Sequence, residues 1–177
     1  MEGATMATVT TINDVNIQAV VGLAQKIQQE PQVAATEWRA DVTWHEGFRS
    51  SAQIRDFAPV SSDEPKGLGG SDSAPNPVEQ LLGALGNCLA VGYAANATAA
   101  GIEIRNLQIA VTGDLDLHTF LGLNPGGNAG FESIRAEVSL DSDASPEALA
   151  DLHEHVVSTS PVGHTLKGAI PVSIQLD

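Results

Sequence analysis

Cysteine is nearly absent: Cys88 is the only one in 177 residues, so no disulfide can close within the chain. Thiol chemistry must run through one sulfur or recruit a thiol from outside. Basic residues are scarce too, with 8 Lys and Arg against 22 Asp and Glu and a formal charge of −14. That balance argues against nucleic acid and anionic membrane surfaces as partners, because the field of the whole chain repels them. Aromatic residues make up 4%, so the core must be aliphatic and packed around alanine and glycine. No apolar run approaches the roughly 20 residues needed to span a bilayer. Met1–Thr11 lacks a basic stretch followed by an apolar one, so no secretory leader is read there. A free thiol suits a reducing compartment, and a cytoplasmic protein is the expectation.

A chain of this length fits one domain with a short appendage and can bury roughly 70% of the surface of its extended form. Residues 1–32 read as an N-terminal segment carrying a helix, and residues 33–177 as the domain. Asn13 or Asp14 can cap that helix, in which Val15, Ala19, Val20, Leu23 and Ile27 recur at helical spacing before Pro31. Two extended runs follow, Thr36–Trp44 and Phe48–Phe57, with His45, Glu46 and Gly47 as a hairpin turn. Val60–Ala74, rich in Ser, Gly, Asp and Pro, reads as a loop ordered by its contacts.

Asn76, Pro77 and Glu79 make a strong helix start: a cap, a residue with no N–H to satisfy, and a capping-box carboxylate. This helix runs to Ala100 and stops at Gly101. It is apolar nearly all round, the mark of a buried central helix. Its Gly83, Gly86 and Gly92 each cost about 1 kcal/mol relative to alanine, which asks for a packing or functional reason. Strands are expected near Glu103–Leu117 and Ser133–Leu140. Another helix opens at Ser145-Pro146-Glu147 with Leu149, Leu152 and Val156 inward, and a last strand covers Ile170–Leu176. The order α-ββ-α-ββ-α-β predicts an α+β domain, an antiparallel-rich sheet with a long buried central helix.

Cys88 sits mid-way along that helix and is either a small buried hydrophobe or a nucleophile held in a pocket. It lies about three turns inside, too deep for the dipole of its own helix to activate it, so a nearby Arg or His would be needed. Arg39, Arg49, Arg55 and His164 are the candidates. Ser160-Pro161 reads as a cap and first residue of a short helical turn, which can also carry Pro161 and His164 to the sulfur. Asp114, Asp116 and His118 would share one strand face, read as solvated rather than metal-binding. His153 and His155 stand two apart on a helix and cannot jointly hold an ion. No metal and no cofactor is expected.

The run Asp63–Gly70, then Pro75 through Asn76-Pro77-Val78-Glu79 to Asn87-Cys88, resembles the OsmC/Ohr family. Gly113-Asp114-Leu115-Asp116, Gly130-Phe131 with Ile134, and Ser160-Pro161-Val162 resemble it as well, so the likeness spans roughly 33–177. The resemblance implies an intertwined homodimer whose two central helices lie between wrapped sheets. It implies reduction of organic hydroperoxides and hydrogen peroxide by a cysteine at the position of Cys88, which becomes a sulfenic acid. In that family a second cysteine, in a Cys-Pro element, resolves the sulfenic acid, and an arginine with a glutamate holds the first cysteine as thiolate.

This chain departs from the pattern at two places. Ser160 stands where the resolving cysteine would be. Val78 occupies the place of the activating glutamate, ten residues before Cys88, with Glu79 one position later. One helical position turns a side chain by about 100°. Arg49 and Arg55 both fit the activating arginine. A hydroxyl cannot resolve a sulfenic acid, so three readings stand. One is a one-cysteine, thiol-dependent hydroperoxide reductase in oxidative stress defence, recycled by an external thiol. Another is a non-peroxidatic module binding a small apolar ligand, and the third is a redox sensor.

Overall fold

The computed structural model describes residues 12–176; Met1–Thr11, read above for a leader, lie outside them. The first helix, α1 (Ile17–Gln29), forms where the periodicity places it, but neither Asn13 nor Asp14 caps it. Asn16 does, its Oδ1 accepting from Ala19 N–H at 3.2 Å. Asn13 sits in the left-handed region at φ 59° and is used elsewhere.

The expected hairpin is present as β1 (Asp41–Trp44) and β2 (Ser50–Gln53), antiparallel with Trp44 opposite Ser50. Gly47 turns it at φ 59°, and His45 N–H donates to the Arg49 carbonyl at 2.9 Å. A third strand, β3 (Val60–Ser62), pairs antiparallel with β2, so the sheet order is β1-β2-β3. β3 lies in the stretch expected as loop, because three residues are too few to show alternation.

The helix start at Asn76 forms as read. Asn76 Oδ1 accepts from Glu79 N–H at 2.9 Å, and Glu79 Oε2 accepts from Asn76 N–H at 2.8 Å, a reciprocal capping box. It opens α2 (Pro77–Ala99). At the other end Gly101 adopts φ 72°, with Ile102 N–H donating to Ala97 O and Gly101 N–H to Thr98 O. Those two bonds are the Schellman closure that satisfies the last carbonyls of a helix.

β4 (Asn106–Leu115) alternates as expected: Leu107, Ile109, Val111, Gly113 and Leu115 are half-buried and the residues between them exposed. The strand stops earlier than expected, because Asp116 caps a short helix, α3 (Leu117–Phe120), by accepting from His118 N–H at 3.0 Å. Asp116 and His118 therefore leave the strand face assigned to them above. β5 (Phe131–Asp141) pairs with β4 in a two-stranded sheet. Arg135 joins Asp114 and Arg105 joins Asp141 across it, an antiparallel order. α4 (Pro146–Thr159) is capped by Ser145, and α5 (Pro161–Lys167) by Ser160. Ile170–Leu176 forms no strand. Alternation says which residues would share a face, but not that a hydrogen-bonding edge is available to them.

By its contacts the chain divides into two compact units: among the described residues, 12–25, 86–110 and 136–176 form one, 26–85 and 111–135 the other. In the second unit the organising group is Asp63, which is buried. Its carboxylate accepts from Glu64 N–H, from Ser71 N–H and Oγ–H, and from Ser73 N–H and Oγ–H, at 2.5–3.1 Å. The Ser71 hydroxyl foremost, then the Ser73 amide, hold this carboxyl far below its usual range. In the first unit Asn13 plugs the end of α2. Its amide donates to Thr98 Oγ1 (3.0 Å) and Ile102 O (2.9 Å) and accepts from Ile104 N–H (2.8 Å).

A carboxyl lowered in the folded state stabilises fully above its unfolded value of about 3.9 and loses that contribution as pH falls below it. Asp63→Asn is therefore expected to be less stable than the parent near neutral pH and to lose less on acidification. Urea unfolding near pH 7 and at about pH 3 checks both; an unchanged acid slope counts against it. Asn13→Ala should cost about 1–3 kcal/mol, since it strands part-buried donors and acceptors, and the same unfolding measurement reads it.

Candidate functional site

Within the first unit α2 presents Leu89, Tyr93 and Ala97 at every fourth position, and α4 answers with Leu152 and Val156; all five are buried. A Cβ built at Gly92 would stand 3.0 Å from Val156 Cγ1, so glycine is what permits this approach. Three contacts run in opposite sequence directions along the pair. Cys88 meets Ser160, Gly92 meets Val156, and Tyr93 meets His153. Cys88 and Gly92 are four residues apart, about 6 Å along the helix, with Tyr93 directly after Gly92, so the three contacts lie along one antiparallel packing.

Ser160 ends α4 and caps α5 at once. It is 5% exposed, while Cys88 is half-buried. Ser160 Oγ accepts from Gly163 N–H at 3.1 Å and lies 3.3 Å from Cys88 Sγ. With one lone pair engaged by the amide, the hydroxyl keeps both its proton and a second lone pair for the sulfur, so either group can donate across this contact. The Ser160 segment lies beside Cys88, but the group that meets the sulfur is the Ser160 hydroxyl. His164 does not join it: Nε2 is 2.7 Å from the Ser158 carbonyl. A carbonyl only accepts, so that nitrogen carries the proton. Pro161 is the exposed first residue of α5.

The other predicted residues belong to the second unit, each with a local partner. Arg49 pairs with Glu46 at the hairpin turn. Arg55, left-handed at φ 49°, lays its guanidinium 4.7 Å from the Phe57 ring centroid. Arg39 pairs with Asp41 on the exposed strand entry. Glu79 serves the capping box. Asp114 is held down to about 2 by Arg135, then by Ser133. Among the described residues no cluster of His, Cys, Asp and Glu could hold a metal ion.

Sequence reasoning missed Tyr93. It is 1% exposed, its hydroxyl is bonded to His153 Nδ1, and burial raises its pKa, so the phenol keeps its proton. The signal was present in the Leu85, Leu89, Tyr93, Ala97 spacing, which marks a single buried face on a helix that looks apolar all round.

No curated protein matches the chain in sequence. Solved structures share its fold. An OsmC-like protein from Mycoplasma pneumoniae superposes with a TM-score of 0.64 at 23% identity, over 75% of this chain and 89% of that one. An organic hydroperoxide resistance protein OsmC from Legionella pneumophila gives 0.58 at 15%, over 76% and 93%. An organic hydroperoxide resistance protein from Elizabethkingia anophelis gives 0.55 at 18%, over 75% and 91%. Residues 70–175, more than half of the sequence and including both Cys88 and Ser160, match the OsmC-like protein family. With mixed helices and antiparallel sheets arranged as in those structures, the chain belongs to the OsmC-like family.

Proposed function

We propose that this protein is a one-cysteine, thiol-dependent hydroperoxide reductase. The observation that carries the reading is the 3.3 Å contact between Cys88 Sγ and the capped Ser160 hydroxyl. A half-buried thiol beside a buried hydroxyl has a polar partner within reach of the sulfur and of the oxygen it would acquire. In the first step sulfur attacks the O–O bond: Cys88–SH and ROOH give Cys88–SOH and ROH, sulfur losing two electrons. Ser160 cannot then form a disulfide, so the sulfenic acid waits for an external thiol. Of the two candidate arginines, Arg49 is committed to Glu46, whereas Arg55 forms no ion pair among the described residues and is the better activating cation.

The proposal includes a homodimer in the cytoplasm. Its support is apolar surface that one copy leaves open: Val91 on α2 is 69% exposed, opposite the buried face, and Trp44 on β1 is equally bare. Ile170, Val172, Ile174 and Leu176 are exposed with strand alternation.

Stoichiometric cumene hydroperoxide should make Cys88 reactive to a dimedone probe, with labelling lost in Cys88→Ser and slowed in Arg55→Gln but not Arg49→Gln. Folded protein that never labels sinks the reductase. Ser160→Cys should instead trap an internal disulfide after peroxide, read by mass and by loss of dimedone labelling, because the 3.3 Å contact already sets the two side chains together. Val91→Glu should shift sedimentation from dimer to monomer; a wild type that sediments as a monomer removes the assembly.

A further inference from the structure

Between α4 and α5 lies a surface cleft of about 480 Å³ lined by His153, Glu154, Val157, Ser158, His164 and Lys167. That volume is in the range that takes a small molecule. Arg39, Arg49, Arg105 and Arg135 are each neutralised by a carboxylate, whereas Lys167, like Lys26, Arg55 and Lys66, makes no ion pair among the described residues. It stands one helical turn after His164 and faces the cleft with it.

The hydrogen bonds assign the remaining groups. His164 donates through Nε2 to Ser158 O, which leaves Nδ1 as an acceptor. The buried Tyr93 phenol has His153 Nδ1 as its partner; in the tautomer where the phenol donates, His153 presents an Nε2–H donor. The cleft therefore offers an ammonium and an N–H for a carboxylate, with a carboxylate (Glu154) and an imidazole acceptor for an ammonium. That pairing is complementary to an α-amino acid head. The cleft is also tied to the sulfur, since His164 is four residues from Ser160, about 6 Å along α5. A peptide of three residues spans about 10 Å.

We propose that this cleft seats the reductant, a low-molecular-weight thiol of amino-acid type, its carboxylate on Lys167 and His153 and its ammonium toward Glu154 and His164. The inference rests on the reductase reading. The thiol RSH attacks Cys88–SOH: the S–O bond breaks, an S–S bond forms, and hydroxide leaves with the thiol proton as water. A second RSH attacks the outer sulfur, releasing RSSR and returning Cys88–SH. Each thiol gives up one electron, and the Cys88 sulfur gains two.

The test separates binding from chemistry. S-methylglutathione carries the same charged groups without a thiol, and calorimetry should find it bound to the wild type and weakened at least about tenfold in Lys167→Gln, the loss of one charge-assisted contact. Protein pre-oxidised by stoichiometric peroxide is then reduced by glutathione or by the uncharged 2-mercaptoethanol. Lys167→Gln should slow glutathione about tenfold and leave 2-mercaptoethanol unchanged. No binding to the wild type, or equal rates for both thiols in the two proteins, overturns the cleft. If no sulfenic acid forms at all, the reductase reading fails, while the binding titration still decides the cleft by itself.

Discussion

The close approach of Val156 to Gly92 is the contact on which the site depends. Helix axes pack about 8–10 Å apart according to the side chains between them, and glycine allows the near end of that range. The glycine costs about 1 kcal/mol of helix propensity, but full burial of a valine stabilises by about 1.5–3 kcal/mol, so packing wins. The separation also governs the contacts on either side of it. Toward the start of α2 it delivers Ser160 to Cys88, and toward its end it brings Tyr93 to His153. A wider helix pair would keep both helices and lose both contacts.

Polar latches do the corresponding work where apolar packing ends. Asn13 closes the C-terminal end of α2, and the capping box closes its N-terminal end, so the longest helix has partners for its orphan groups at both termini. Asp63 gathers five donors from residues 64–73 and turns a serine- and glycine-rich stretch into fixed structure. The aliphatic core can be small because these hydrogen bonds set the ends of its central element. What the core does not absorb is exposed apolar surface on α2, β1 and the C-terminal residues, which suits burial against a second copy.

Replacing a resolving sulfur by a hydroxyl preserves local architecture and changes the chemistry. Serine is among the best helix caps, and here it closes α5 while touching Cys88. The position thus serves folding as well as the site, so a fold of this family tolerates the exchange. On the proposed reductase reading, reducing equivalents would have to arrive from outside the chain, which places weight on the surface next to α5.

Much of the fold was legible because local chemistry dictates it. Asn76-Pro77-Val78-Glu79 can hardly do other than start a helix, Gly101 end one, and Ser145-Pro146 and Ser160-Pro161 start two more; all four form. Cys88 and Ser160 were nominated by residue type and by the family pattern, 72 positions apart. Three matters stayed hidden. β3 is too short to have a period. Asn13 has the right residue type for a cap but spends its side chain on residues 98–104, a partner no local pattern encodes. Ile170–Leu176 has the alternation of a strand without an edge to join. The sequence by itself determined which segments are helical, where they stop and which single sulfur is available, since those follow from neighbours along the chain. Only the tertiary structure decided that Ser160 reaches that sulfur, that His164 turns to Ser158, and that Tyr93 is buried against His153. The first and third depend on the distance between α2 and α4, where Gly92 meets Val156; the second depends on how α5 turns back on the end of α4.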